Sequence, residues 1–162
     1  MRVLPFRELR EKSQTLPFVQ MTSDPHNLKR FLDAQQPVFE QVLAELHAGR
    51  KQSHWMWFIF PQMRGLGHSS LADYYGISSR QEAEAYLVHP ILGSRLQECT
   101  QLVNHVEGRS IDQILGSPDN LKFRSSMTLF ASTAPELKIF THALRKYFDG
   151  KLDPLTLNLL GT

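Results

Sequence analysis

Apolar residues recur along most of the chain in steps of three and four, the spacing that lines one face of a helix. Asp24-Pro25 is an N-cap followed by proline at the first helical position, and Leu28, Phe31 and Leu32 follow on one face. Pro37 breaks or kinks that helix. Val38, Phe39, Val42, Leu43 and Leu46 form a wide stripe, and Gly49 suits its C-terminal stop. "SLADYYGI" reads as a short helix ended by Gly76. Ser79 and Glu82 have the spacing of a capping box for a helix carrying Ala83, Tyr86 and Leu87. Beyond the break at His89-Pro90, the seam Leu92, Leu96, Cys99, Val103 and Val106 alternates four and three. Ser110 caps one short turn, and Asp119 can cap "NLKFRSSMTLFAS". Leu137, Phe140, Leu144, Tyr147 and Phe148 make another amphipathic helix, and Asp153-Pro154 opens a last short one.

Nothing alternates with period two for long enough to be a convincing strand. The pattern predicts an all-α fold, a compact multihelical single domain over 24–162 with about seven to nine helices, several short. The run "WMWFIF", residues 55–60, stays open. Its length suits a buried strand or a short buried helix, and helical neighbours with Ser53 as a candidate N-cap favour helix. Residues 1–23 read as a loosely attached N-terminal extension. They lack the apolar stretch of a secretory signal, and Glu8 and Glu11 argue against an organellar transit peptide.

Composition narrows the class. The hydrophobic share is 41% and the charged share 21%, close to the soluble globular average. The longest apolar run, Trp55 to Phe60, is far short of the ~20 residues of a membrane span. A net charge of +2 is too mild for the basic stripe of a nucleic-acid binder. One cysteine, Cys99, excludes an internal disulfide and points to a reducing, cytoplasmic setting. Its place in an apolar seam marks it as core rather than nucleophile. The seven histidines show no metal-ligand spacing, and no nucleotide-loop, dinucleotide or hydrolase fingerprint occurs. No metal and no cofactor are expected.

The distribution of acids is more informative. None lies between Glu45 and Asp73, a stretch holding Arg50, Lys51, Arg64 and three histidines. None lies between Asp119 and Glu136, a stretch holding Lys122, Arg124, Ser125, Ser126 and Thr128. If the two meet, they form a cationic, hydroxyl-rich pocket beside aromatic faces. His54 is then the candidate general acid or base, because its ordinary pKa lies near neutrality. Arg64, Lys122 and Arg95 would clamp an anion, while Gln62, Ser125, Ser126 and Thr128 orient it. Trp55 or Trp57 would stack on a flat ring. Such a site fits an anionic, nucleotide-like or phosphorylated small molecule, with hydrolysis as conceivable chemistry. The plainer reading makes most of the aromatic run core, Arg50 and Lys51 a solvated link, and the serines an ordinary helix flank. A rival from another class is a protein-interaction module built on an exposed aromatic and methionine patch.

"SHWMWFIFPQ" followed by "GLGHSS", then "YLVHPILGSRL", then "DNLKFRSSMTLF" resembles the pattern of the bacterial domain-of-unknown-function family numbered 1810. The resemblance covers roughly residues 24–162. It implies a compact, mainly α-helical domain and brings no established activity. The calpastatin-like label that some members carry does not transfer, since this chain has a core's composition and no repeats. The matching positions include polar residues that a core does not require, among them Ser53, His54, Gln62, Arg95, Lys122, Ser125, Ser126 and Thr128.

Overall fold

The structure, a computed structural model, describes residues 23–161. The expected N-terminal extension therefore lies almost wholly outside the described residues. Among those residues there are ten helices and no strand. They are α1 (Lys29–Gln35), α2 (Phe39–His47), α3 (Met56–Ile59), α4 (Ser70–Tyr74), α5 (Arg80–Val88), α6 (Leu92–His105), α7 (Ile111–Leu115), α8 (Asp119–Thr133), α9 (Lys138–Phe148) and α10 (Pro154–Leu160). The open question at residues 55–60 resolves as a single helical turn, α3.

The two longest helices organise the rest. α8 packs on α5, α7, α9 and α10, and α6 packs on α2, α3, α5 and α9. Residues Ser125 to Phe130 of α8 are buried without interruption, as a helix surrounded by neighbours requires. The core is one continuous cluster threaded by aromatic rings. Tyr75, Phe31, Tyr86, Phe130 and Phe140 form one chain of ring contacts at 5.0–5.8 Å. Trp55, Phe60 and Phe123 form another, at 6.1 and 5.0 Å. The edge-to-face pairs among them, Phe31–Tyr86 and Phe60–Phe123, add about 0.5–1.5 kcal/mol each beyond area burial.

Two buried carboxylates hold the irregular segments. Glu82 pairs with Arg30 at 2.8 Å, and the same guanidinium donates to the carbonyls of His26, Asn27, Tyr74 and Gly76. One side chain thereby ties α1, the end of α4 and α5 together. Ser79 caps α5 as expected, but only half of the capping box forms, because the Glu82 carboxylate turns to Arg30 and Ser78. Glu45 holds the link before α3. It accepts from the N–H groups of Gln52 and Ser53, the Ser53 hydroxyl and the Trp55 indole. Ser53 is thus no N-cap: α3 starts after Trp55 without a side-chain cap.

Glycines permit two close approaches. Gly93 lies against the backbone of Leu87, where a Cβ would overlap the Leu87 carbonyl oxygen, so α5 and α6 meet in a tight corner. At Gly76 a Cβ would sit 2.7 Å from Arg64 Cα. That contact accompanies an isolated parallel bridge between Met63 and Ile77, which closes the loop carrying Gln62.

Candidate functional site

The aromatic run ends in a turn whose successive side chains diverge. Trp55, Met56, Ile59 and Phe60 point into the core with at most 2% exposure. Trp57 and Phe58 remain half-buried, and His54 is exposed. Trp57 faces α8, where the Lys122 ammonium stands 5.2 Å from the centre of its ring. The two acid-free stretches therefore do meet.

Between them lies a narrow cleft. Trp57, Met56 and Phe60 form one side, Lys122 another, and Gln62, Ala72, Tyr75 and Gly76 close it. The empty volume out to the mouth is about 240 Å³, but the space open to the centre of a water molecule is only about 10 Å³. That is room for about one oxygen-sized atom. The Gly67 backbone keeps the Gln62 loop tight: a Cβ there would lie 2.5 Å from Ala72 Cβ and 3.5 Å from Gln62 Nε2.

Three donor-bearing side chains line this cleft. The Trp57 indole nitrogen is buried and has no hydrogen-bond acceptor among the described residues. The Gln62 side chain is half-buried. Lys122 reaches the Asp119 carboxylate only at 3.6 Å. The other oxygen of that carboxylate is held at 2.9 Å by Lys51, which is buried over the Trp55 ring. Lys51 is therefore no solvated link. Two ammonium groups share one carboxylate, which leaves this half-buried cluster one positive charge in excess. Tyr75 is the other titratable group on the cleft, and burial, then the neighbouring Tyr74, push its hydroxyl pKa up.

The remaining sequence candidates go elsewhere. Ser125 donates to the Leu121 carbonyl and to Asp153, and Thr128 donates to the Arg124 carbonyl while accepting from the Asp153 N–H. Both anchor α10 rather than line the cleft. Ser126 is fully buried, and its hydroxyl has no partner among the described residues. Arg95 spans to Gln35 and Gln36 and stacks on Phe39. Arg64 reaches the carbonyl and carboxylate of Asp73 at the surface. Trp55 is sealed, with its indole N–H on Glu45, so no ring can stack on it. His54 does not line the cleft. Cys99 is buried, and burial pushes its thiol up to about 12, in keeping with an inert core residue. No group of three or more potential metal ligands occurs among the described residues. Sequence reasoning missed Tyr75, Gly76 and Ala72 as cleft walls. The Tyr-Gly ending of α4 was their one visible signal, and it reads equally as a plain helix stop.

No curated protein matches the chain. Among solved structures, the crystal structure at 1.38 Å of the conserved hypothetical protein Rv1873 from Mycobacterium tuberculosis is similar, with 57% identity and a TM-score of 0.85. The match covers 86% of this chain and 99% of that one. No helix of the described residues is long and apolar enough to cross a membrane. The model of the family described as "Protein of unknown function (DUF1810)" matches residues 25–160, a span that includes every wall of the cleft, and the chain belongs to that family.

Proposed function

We propose that the protein binds a small anionic molecule through the Trp57–Gln62–Lys122 cleft. The observation that carries this reading is a buried indole N–H with no acceptor among the described residues, on the same cleft as a lysine whose Asp119 partner is already shared with Lys51. A buried donor left unpaired costs about 1–3 kcal/mol, so an acceptor supplied by a ligand gains that much on entering. The size of the cleft admits the anionic head alone. The body of the ligand, nucleotide-like or otherwise, lies across the mouth, because the face of Trp57 is occupied by Lys122. Binding rather than hydrolysis is what this geometry supports, since the exposed His54 stands outside the cleft. The rival interaction surface finds less support. Met56, Met63 and Met127 are buried, and the exposed large apolar side chains are mainly leucines such as Leu121, Leu155 and Leu159.

The test is a thermal-shift screen against nucleotides, sugar phosphates and carboxylates, repeated with Lys122→Ala. A ligand at about 100 times its dissociation constant adds about 2.7 kcal/mol to apparent stability. A melting-point rise of several degrees that disappears in Lys122→Ala is the expected result. No rise across the panel at millimolar concentration removes the proposal.

A further inference from the structure

We infer that the anionic head taken by this cleft is a carboxylate rather than a phosphate monoester, an inference that rests on the binding reading above. Charge and size both carry it. Lys51, Lys122 and Asp119 form one cluster in which the carboxylate serves both ammonium groups, at 2.9 and 3.6 Å. Asp112, on α7 just before Asp119, is exposed and held by the Asn120 amide, where solvent screens it. The cluster therefore lacks one negative charge. A carboxylate supplies one. A phosphate monoester carries about two at neutral pH and would bring an unneutralised charge into a half-buried site, which desolvation opposes.

Size acts in the same direction. The cleft offers about 10 Å³ to an oxygen-sized centre. One oxygen of a flat carboxylate fits that space with the second facing Lys122 or the Gln62 amide at the mouth, and a small shift of the Trp57 ring, whose N–H is sealed as the side chains stand, lets it accept from the indole. A tetrahedral phosphate presents three oxygens, more than that space holds, so the cleft has to widen to take it. Such widening is resisted from behind, because Gly76 stands against the Arg64 backbone and its carbonyl is held by Arg30.

The full chain, labelled with nitrogen-15, has two indole N–H resonances, from Trp55 and Trp57, and Trp57→Phe assigns them. Acetate and inorganic phosphate are titrated separately at pH 8 and constant ionic strength. Acetate should move the Trp57 resonance to saturation and leave that of Trp55 in place. Phosphate should bind at least about tenfold more weakly, and Lys122→Gln should weaken acetate by at least about tenfold. Asp119→Asn raises the excess charge by one and should shift the preference towards phosphate, with the dispersion of the backbone amide resonances reporting an intact fold. Phosphate binding as tightly as acetate, still dependent on Lys122, overturns the carboxylate assignment and keeps the anion cleft. If neither anion moves the Trp57 resonance, or the movement survives Lys122→Gln, the cleft reading falls as well.

Discussion

The indole N–H of Trp55 donates to the Glu45 carboxylate at 3.2 Å, and that carboxylate also gathers the Ser53 hydroxyl and two backbone N–H groups. One acid upstream of the aromatic run therefore fixes the residue at its start, and with it the orientation of Trp57 two positions on.

Glu45 makes the fold sensitive to acid in a defined way. Burial alone would raise its pKa, but the hydrogen bonds from Ser53, Gln52 and Trp55 outweigh burial and hold it at about 2. The folded value is depressed below the ordinary 4.5. The stabilisation is thus complete above about pH 4.5 and is lost as pH falls towards 2. Glu45→Gln should cost about 1.5–3 kcal/mol at pH 7, the worth of hydrogen bonds to a charged group. It should also flatten the loss of stability between those two pH values. Urea unfolding of both proteins as a function of pH checks the sign and the window.

Arg30 and Glu82 should show strong coupling. Both side chains are about 95% buried at a separation of 2.8 Å. Arg30→Met leaves the Glu82 charge and four carbonyls without their partner and should cost about 3–5 kcal/mol. Glu82→Gln should cost less, because its amide can still accept from Arg30. A double-mutant cycle in urea should return an interaction energy of about 1–3 kcal/mol. Additive losses would mean that the pair does not act as a unit.

Gly93 is required by contact rather than by conformation. Gly93→Ala puts a methyl into the Leu87 carbonyl and should cost at least about 3 kcal/mol, the upper end of overpacking. Gly108 has a positive φ of 73° and nothing within 4 Å of a Cβ, so Gly108→Ala should cost only the conformational strain, about 1 kcal/mol. Thermal melts of the two variants should differ by several degrees.

Asp153 should govern the attachment of the C-terminal helix. Its Oδ2 accepts from Ser125, from the Thr156 N–H and from the Thr156 hydroxyl at 3.0, 3.3 and 2.5 Å. Asp153→Ala should cost about 1–2 kcal/mol as a lost cap. It should also open α10 to limited proteolysis while α8 stays protected. Equal protection of α10 in both proteins would show that Leu157 and Leu160 hold the helix unaided.

Much of the fold was legible because it is local. Caps at Ser79, Ser110 and Asp153 and the stop at Gly49 read directly, as does the seam of α6. The site was legible only in part. The two acid-free stretches raised the meeting of Lys122 and Trp57 as a condition, and only the fold supplies it. That Asp119, the very acid bounding one stretch, would neutralise Lys51 from the other did not, since the two are far apart in the chain. Ser125 and Thr128 failed as site residues for the same reason: periodicity places them on α8, but only the return of residues 151–153 decides what they bond. Arg30 carried no sequence signal beyond a charge beside Phe31, although it makes more tertiary hydrogen bonds than any of the predicted site residues.

The reach of Arg30 bears on how the chain folds in time. Its bonds to Tyr74, Gly76 and Glu82 close loops of 44 to 52 residues. Helices form in about a microsecond or less, and contacts of that span come after the segments between them are in place. We expect the guanidinium to act as a late lock, engaged after the transition state for folding. Losing it would leave the folding rate nearly unchanged and shorten the lifetime of the folded state, including that of the cleft wall at Gly76.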